Sequence, residues 1–406
     1  MGKQKNIPKL RFPEFEGEYE KRILIDTCTI VGGGTPDSGK EELWNGHIQW
    51  FTPTEIKMDY VSKSERTITE LGLKKSSARL LPKGTILLTS RATIGEVAIA
   101  LNECTTNQGF QSLIVNKSFN SIFIFNWIKN NRNLFIRRAN GSTFLEISKS
   151  EIGTIPIYAP TLPEQQKIAS FFTAIDQKIS QLKRKKILLE QYKKGVMQKI
   201  FSQEIRFKDD NGQEFPKWEK KRLSEIFIEI NETVGTRDIP TYSITAGVGF
   251  VSQNEKFGRN ISGQQNKHYT VINEGQFSYN KGNSKTYTYG CIYVNDTGKR
   301  IAVPNVFISF EFIDQKMSSQ FYSKLFESHY LDKGLRKIIS SSARMDGLLN
   351  VNKNSFFQLS VPCPNYIEQQ KISHILNSID SKIFNIKKQI EREEVWKKGL
   401  MQQMFV

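Results

Sequence analysis

Cysteine and histidine are scarce in this sequence, which has four residues of each type among 406. The cysteines lie far apart, without a CxxC pair and without a histidine cluster nearby: Cys28, Cys104, Cys291 and Cys363. A disulfide-stabilised secreted domain and a zinc site built from these ligands are therefore not expected. The scarcity predicts a cytoplasmic protein with reduced thiols.

Long apolar stretches are missing as well. The longest candidate, residues 121–128, falls well short of the roughly 18 residues that a membrane helix needs. The first residues have neither the basic start nor the apolar segment of a secretory signal. The sequence therefore predicts no membrane association, and 38% hydrophobic with 24% charged residues is typical of a folded soluble protein.

Acidic residues are too few to balance the basic ones. The chain has 41 Asp and Glu against 58 Lys and Arg, which gives a net charge of +17. Such a surplus is costly in self-repulsion unless a polyanion neutralises it, so nucleic acid is the favoured partner. A generic basic protein or an anionic membrane surface is the alternative.

Patterns of catalytic residues are absent or incomplete. An adenine or cytosine methyltransferase needs a motif with Pro-Pro, and no Pro-Pro occurs in the chain. Residues 34–40 satisfy GxxxxGK, but Glu41 stands where a phosphate-binding loop needs a hydroxyl for Mg²⁺, so a glycine-rich turn is favoured. Asp37, Glu55 and Lys57 have the outline of a metal-dependent nuclease, which stays open as an alternative. We predict no catalytic residue, cofactor site or metal site in this chain.

The sequence contains an internal repeat. Residues 164–202 and 368–406 align without a gap at a constant offset, and about 16 of these 39 positions are identical. Both copies begin with EQQKI, at Glu164 and Glu368. The regions before them share little identity. Each half of the chain is therefore a variable globular region followed by a well-retained segment.

The retained segments are predicted to be long helices. Each begins with an early acidic residue, and apolar residues recur in steps of three and four, as in a coiled-coil seam. In the second copy this seam is Ile372, Leu376, Ile379, Ile383, Ile386 and Ile390, and in the first it is Ile168, Phe172, Ile175, Ile179 and Leu182, before Lys186 interrupts it. Two helices of this length are better explained by pairing with each other than as one core helix per domain.

The variable regions are predicted to be mixed α/β, with the same layout in both halves. Strand-like runs at 84–89 and 275–279 each end in a polar tip, and helices are expected at 123–136 and 321–339. Arg and Lys can donate to guanine, and Asn and Gln can pair with adenine in the major groove. The candidate DNA-binding residues at the tips are Ser90, Arg91, Asn107 and Gln108 in the first half, and Asn280, Lys281, Asn283, Ser284 and Lys285 in the second. Tyr279, Tyr287 and Tyr289 interleave with the lysines, as on a nucleic-acid surface.

Residues 87–99 (LLTSRATIGEVAI), residues 105–114 (TTNQGFQSLI) and the two EQQKI helix starts resemble the DNA-specificity subunit of type I restriction-modification systems. The resemblance covers essentially the whole chain. It implies two target-recognition domains, each reading one half of a bipartite, asymmetric site in double-stranded DNA. It also implies that the paired helices separate these domains and dock two methyltransferase subunits, to which restriction subunits add.

The expected architecture is α/β, with two mixed α/β target-recognition domains joined by two long antiparallel coiled-coil helices in a pseudo-two-fold internal repeat. The expected boundaries are 1–160 and 204–364 for the recognition domains, and 161–203 and 365–406 for the helical spacers. The resemblance implies that S-adenosylmethionine, ATP and Mg²⁺ bind to partner subunits and not to this chain. Candidate partner-interface residues on the helices are Glu164, Gln165, Gln166, Lys167 and Asp176, with Glu368, Gln369, Gln370, Lys371 and Asp380 as their repeat counterparts.

Two recognition domains about one turn of the DNA double helix apart, near 34 Å, would enter the groove on the same side of the DNA. Because the two halves differ, the two half-sites are expected to differ. A stand-alone metal-dependent endonuclease and a basic coiled-coil adaptor without sequence specificity remain the alternatives.

Overall fold

The structure is a computed structural model that describes residues 6–141, 145–258, 263–282, 284, 286–339 and 348–406. The chain forms two compact units, each described here by itself. The first comprises Met1–Lys183 and Lys388–Val406, and the second comprises Arg184–Lys387. Each unit therefore contains one globular region, the first part of one long helix and the last part of the other.

The first unit is built around a five-stranded sheet with strands in the order Cys28–Gly32, Gln111–Val115, Ile86–Leu88, Val97–Ala100 and Tyr60–Val61. A three-stranded sheet has the order Arg66–Ile68, Trp44–Phe51, Cys104–Thr106, and Glu20–Ile23 pairs with Pro156–Ala159. The helices of its globular region are Leu24–Thr27, Glu70–Lys74, Ser121–Asn130, Arg132–Arg137 and Lys149–Gly153, with single 3-10 turns at Glu41–Leu43 and Pro53–Glu55.

The second unit repeats the centre of this arrangement. Its four-stranded sheet has the order Phe227–Glu229, Ile308–Phe312, Phe277–Asn280, Cys291–Val294. Two-stranded pairs are Glu219–Arg222 with Ser360–Cys363, Tyr242–Thr245 with Gly249–Ser252, and Thr270–Ile272 with Ile301–Val303. The shorter helices are Leu223–Ile226, Gln253–Phe257, Ser319–Glu327, Asp332–Ile338 and Lys353–Phe357, with a 3-10 segment at Gly263–His268. The predicted mixed α/β class and shared layout are thus confirmed.

The two long helices are Leu162–Phe201, the first long helix, and Tyr366–Met404, the second long helix. Within the first unit they run antiparallel, because Phe172 stacks on Phe405 whereas Lys178, further along the first helix, pairs with Glu393, earlier on the second. None of the helices among the described residues is long and apolar enough to cross a membrane.

The predicted apolar seam packs partly into the cores of the units. Ile168, Phe172 and Ile175 belong to the core that the first sheet and the helix Ser121–Asn130 form, together with Met401 and Phe405 of the second long helix. In the second unit the core contains the matching set Ile372, Leu376, Ile379, Met197 and Phe201. The seam therefore joins each globular region to both long helices, rather than joining the helices alone.

Two predicted helices are each split in two. The segment 123–136 is interrupted at Asn131, whose side-chain amide donates to the carbonyl of Trp127 at 3.0 Å. The segment 321–339 is interrupted at His329, whose φ of 62° is left-handed and incompatible with an α-helix. Apolar periodicity continued through both interruptions, so it concealed them.

Candidate DNA interface and helix junctions

The first tip follows strand Ile86–Leu88, and its two predicted residues have different surroundings. Ser90 is fully buried, and its hydroxyl finds no hydrogen-bond partner among the described residues. Its backbone carbonyl accepts from the N–H of Ile147 at 3.0 Å. Arg91 is exposed, and its Nε lies 2.9 Å from a carboxylate oxygen of Glu146. Ser90 therefore shapes the tip, while Arg91 presents a guanidinium from it.

Ala92, the next residue, has a φ of 58°, which a residue with a Cβ seldom adopts. Such local strain is held in place by surrounding contacts and is often found at functional sites. The backbone pairs Arg91 with Glu146 in an isolated β-bridge directly beside this residue. The tip is therefore a constrained turn.

Asn107 and Gln108 also differ from each other. Asn107 is half-buried, and its side-chain oxygen accepts from the N–H of Gly109 at 2.8 Å. Gln108 is exposed and accepts a hydrogen bond from the hydroxyl of Thr35. Gln108 is thus the one of the two whose side chain lies at the surface.

The second tip uses the same backbone arrangement with other side chains. The carbonyl of Lys281 accepts from the N–H of Leu349 at 2.9 Å, as that of Ser90 does from Ile147. Asn280 is half-buried: its side-chain oxygen accepts from Gly282 at 2.9 Å, and its amide donates to Ile244 at 3.3 Å. Ser284 is exposed, and its hydroxyl accepts from the N–H of Tyr287 at 3.1 Å. Asn283 and Lys285 lie outside the described residues.

Tyr279, one of the three tyrosines predicted to line a nucleic-acid surface, instead lies in the core. Its ring stacks on Phe356 with centroids 5.0 Å apart, and its hydroxyl donates to the carbonyl of Tyr289 at 2.7 Å. Burial raises the pKa of this phenol well above its ordinary value. The prediction failed because the strand Phe277–Asn280 is buried along most of its length, on both of its faces.

The EQQKI starts of the long helices are intramolecular junctions. Glu164 is 1% exposed and binds Arg11, with 2.7 Å between Oε2 and Nη2, and Tyr19 at 3.2 Å. Glu368 is 0% exposed and binds Arg206 at 2.9 Å. The indole of Trp218, rather than a phenol, completes this second group at 2.9 Å from Glu368.

In the first junction, the buried contacts with Glu164 shift the pKa values of Arg11 and Tyr19. The hydrogen bond that the Arg11 guanidinium donates to Glu164 raises the pKa of this guanidinium. Burial, together with the neighbouring carboxylate, raises the pKa of the Tyr19 hydroxyl. Both groups therefore stay protonated across the physiological pH range and hold the helix start.

The following glutamines are used identically in the two junctions. Gln165 donates to the carbonyl of Pro160 at 2.8 Å and accepts from the N–H of Asn120 at 2.9 Å. Gln369 donates to Pro364 at 2.9 Å and accepts from Ser318 at 3.0 Å. Each glutamine thus ties a helix start to the N-terminal residue of a core helix.

The remaining candidates of the EQQK motif are closer to the surface. Gln166, Gln370 and Lys167 are exposed and Lys371 is half-buried. Lys167 pairs with Glu14, and Lys371 pairs with Asp210 at 2.6 Å.

Asp176 and Asp380 connect the long helices within their own units. Asp176 pairs with Lys397 in the first unit, and Asp380 pairs with Lys193 in the second, both at 2.6 Å. These two pairs are equivalent under the sequence repeat. Asp380 also binds Lys324 of the helix Ser319–Glu327.

Asp37, Glu55 and Lys57, whose pattern is similar to that of a metal-dependent nuclease, do not form a metal site. Glu55 accepts from the N–H and hydroxyl of Thr52 at 2.6 and 2.7 Å, and from the N–H of Glu65 at 2.7 Å. Asp37 accepts from Gly39 at 3.0 Å within its own turn. Among the described residues, no group of three or more His, Cys, Asp or Glu side chains is placed to hold a metal ion.

Two α/β units that share junctions and sheet order, but carry different side chains at matching tips, define a duplicated recognition protein. The chain belongs to the family of type I restriction modification DNA specificity domains, whose sequence pattern matches residues 16–191 and 215–393. The predicted family is confirmed.

Curated relatives carry matching names. The chain is 35% identical, over 58% of its length, to the type I restriction enzyme MjaIX specificity subunit of Methanocaldococcus jannaschii, and the match spans 57% of that subunit. It is 29% identical, over 40% of its length, to the EcoR124I/EcoR124II specificity subunit of Escherichia coli, spanning 42% of that protein. It is also 23% identical to the MjaVIII specificity subunit of M. jannaschii, over 98% of this chain and 93% of the relative.

Solved structures share the fold. The S subunit of a type I restriction-modification system from M. genitalium aligns with a TM-score of 0.57 at 18% identity, over 98% of this chain and 99% of that one. A chain from a structure on complex assembly and conformational transition of the type I system aligns with a TM-score of 0.56 at 14% identity, over 95% and 96%.

Proposed function

We propose that this chain is the subunit that chooses the DNA sequence on which a type I restriction-modification complex acts. Each globular region, 1–160 and 204–364, reads one half of a bipartite, asymmetric site in double-stranded DNA. The helical spacers, 161–203 and 365–406, dock two methyltransferase subunits, to which restriction subunits add. S-adenosylmethionine, ATP and Mg²⁺ bind in those partners, and the complex works in the cytoplasm.

One observation carries this proposal: matching tips have a common backbone and different side chains. The carbonyls of Ser90 and Lys281 accept equivalent hydrogen bonds from Ile147 and Leu349. In the first tip Ser90 is followed by Arg91, whereas in the second tip Lys281 stands between Asn280 and Gly282. A retained scaffold with altered donors is what reading of two different half-sites requires.

Arg91 is the strongest candidate for a base contact. Glu146 engages Nε of its guanidinium at 2.9 Å, which leaves the two terminal nitrogens for another acceptor pair. Guanine offers O6 and N7 at the spacing of that fork. The carboxylate thus holds the charged end of Arg91 at the tip, where we propose this contact.

The other candidates fall into two groups, proposed DNA contacts and residues that support the tips. Gln108, Lys281 and Ser284 remain proposed DNA contacts, as do Asn283 and Lys285. Ser90, Asn107 and Asn280 support the tips through their backbone or internal hydrogen bonds. On the helices, exposed Gln166 and Gln370 remain proposed partner contacts, whereas the buried glutamates and first glutamines hold each helix to its own unit.

The test is to map methylated adenines in cells that carry this chain with the methyltransferase subunits of its system. Methylation is expected at an asymmetric site with two separated parts. Arg91→Gln should change the preferred base in one part only, by about tenfold or more in discrimination, because one bidentate contact is worth about 1–3 kcal/mol.

Arg79→Gln is the matched control, since Arg79 is an exposed arginine of the same unit away from the tip. It removes the same charge and should lower affinity at most slightly at every sequence. Methylation at a single continuous palindrome, or loss of preference in both parts after Arg91→Gln, would contradict the proposal.

A further inference from the structure

The glycine-rich turn at residues 33–40, which we call the glycine loop, is held by two buried tryptophans. The indole N–H of Trp50 donates to the carbonyl of Gly34 at 2.8 Å, and that of Trp44 donates to the carbonyl of Asp37 at 3.0 Å. These tryptophans are 4% and 5% exposed, and their rings meet edge to face with centroids 5.0 Å apart. The backbone is therefore fixed on both sides of Thr35, whose side chain is exposed.

The glycine loop lies directly against the segment of chain that carries Gln108. The N–H of Gly34 donates to the carbonyl of Thr106 at 2.8 Å. At Gly33 a Cβ would lie 1.9 Å from the carbonyl oxygen of Asn107, so no larger residue fits there. Close packing against this segment thus explains why the loop is rich in glycine.

The backbone around Gln108 is fixed as well. The N–H of Asn107 donates to the carbonyl of Phe51 at 3.0 Å, and the carbonyl of Gly109 accepts from the N–H of Ser90 at 2.8 Å. The second of these bonds joins the segment to the first tip. Gln108 therefore stands beside the tip on a backbone with little freedom to move.

A hydrogen bond connects the glycine loop to the Gln108 side chain. The hydroxyl of Thr35 donates to Oε1 of Gln108, and both side chains are exposed. An exposed glutamine normally samples many rotamers, and ordering it on binding costs conformational entropy. Here the carboxamide is oriented before any ligand arrives. Its oxygen keeps a second lone pair, and its nitrogen keeps both N–H groups for another partner.

We propose that Thr35 is a positioning residue for sequence specificity, which holds the carboxamide of Gln108 for contact with an adenine in the first half-site. The inference rests on the proposed function and deepens it by naming the base and the residue that orients its reader. Oε1 accepts from the adenine amino group, and Nε2 donates to N7. A carboxamide turned by 180° would place a donor against that amino group, and the hydroxyl of Thr35 selects against this orientation.

The second unit treats the corresponding loop differently. Gly34-Thr35 recurs in the sequence as Gly235-Thr236. There Arg237 donates to the carbonyl of Val234 at 3.0 Å and forms an ion pair with Glu232. This long side chain is bound within its own loop. Positioning of a glutamine by a loop hydroxyl is therefore expected for the first half-site alone.

Thr35→Val tests the inference, because valine keeps the shape of threonine and removes its hydroxyl. The full chain is assembled with the methyltransferase subunits of its system. Methylation kcat/KM is then measured on duplexes that carry each of the four base pairs at every position of the site. Thr35→Val should lower the preference for A·T at one position by about fivefold, because Gln108 must then be ordered on binding. The other part of the site should be read as before.

Two further variants at these positions provide the controls. Thr35→Ser keeps the hydroxyl and should keep the wild-type preference. Gln108→Ala should lower the preference at the same position by about tenfold or more, because the base contact itself is lost. Adding Thr35→Val to Gln108→Ala should change nothing further, since Thr35 acts through Gln108. A threonine that only stabilises its loop would still lower activity in that background.

Unchanged discrimination in Thr35→Val, with a wild-type complex that reads a two-part site, would overturn the inference and leave the proposed function standing. A G·C pair at the position that Gln108→Ala relaxes would overturn the adenine contact. An equal loss at every sequence would assign both residues to phosphate binding or to loop stability, and it would overturn the inference too. A wild-type complex without any two-part preference overturns the proposed function together with it.

Discussion

The two units solve the same structural problem with partly different residues. A buried glutamate meets an arginine in both junctions, but its third partner is the phenol of Tyr19 in one and the indole of Trp218 in the other. The glutamine beside it makes the same two hydrogen bonds twice. The tips share a backbone contact but carry different side chains. Residues that join helix to domain are thus retained, and those proposed to contact DNA vary.

The largest expected effect concerns the junction glutamates. Glu368→Gln removes the charge that neutralises Arg206 in a buried site, so it should lower the free energy of unfolding of the second unit by about 3 kcal/mol. Glu164→Gln should cost the first unit a similar amount. Urea unfolding of the full chain, followed by hydrogen exchange to separate the units, measures both.

A double-mutant cycle provides the control. Adding Arg206→Met to Glu368→Gln should recover part of the loss, because no unpaired charge is then buried. A loss below about 0.5 kcal/mol, the range of an exposed pair, would show that these junctions are ordinary surface contacts.

A smaller difference in stability is expected between variants of Asp176 and Asp380, the two aspartates that pair with the opposite long helix. Asp380 neutralises both Lys193 and Lys324, whereas Asp176 is paired with Lys397. Asp380→Asn should therefore cost about 2 kcal/mol, and Asp176→Asn about half of that. Equal losses measured by chemical unfolding would mean that Lys324 adds nothing to the pair.

Lys324 should also make the second unit sensitive to high pH. Its pKa is raised: burial lowers it, and Glu327 and Asp380 raise it by more. A raised pKa means that the folded state holds the proton more tightly than the unfolded state. The stabilising contribution is then complete below the ordinary lysine pKa of 10.5 and disappears as the pH rises through the higher folded value.

Unfolding curves of wild type and Lys324→Met between pH 9 and 12 measure this contribution by difference. The gap between them should be constant up to about pH 10 and should shrink above it. A gap that widens with pH would reverse the sign of the linkage and contradict the assignment.

The smallest expected effect is a difference in thiol reactivity. Burial raises the pKa of Cys28 and Cys291 to about 11 and that of Cys104 to about 12. Cys363 is only half-buried. Alkylation at pH 8 followed by peptide mass spectrometry should therefore label Cys363 first, and the other three at the rate of unfolding. Fast labelling of Cys28 would show that the first core opens locally.

The sequence predicted those elements that follow from the spacing of apolar residues. It did not predict contacts between residues that are distant in the sequence. The long helices and the shared strand layout follow from apolar spacing, which local chemistry dictates. The resemblance makes Glu164 and Glu368 candidate partner contacts, but both are buried within their own units. Their arginines lie about 150 residues away in the sequence, so no local pattern reveals the burial.

At the tips, sequence found the location but not the orientation. Arg91 is exposed, yet Ser90, its neighbour, is buried, because the chain enters a turn here and the two side chains have different surroundings. Tyr279 lies in the core because its strand is buried along most of its length. Glu146, the ion-pair partner of Arg91, carried no recognisable signal because three strands and two helices separate it from the tip in the sequence.

The split of the long helices between units has a consequence for synthesis of the chain. The second unit, Arg184–Lys387, is one continuous stretch and can close its core as soon as that stretch has left the ribosome. The core of the first unit includes Met404 and Phe405, which follow the whole second unit in the sequence. The first unit therefore completes its core only after the second unit has been synthesised, and the apolar surface that these residues cover stays exposed until then.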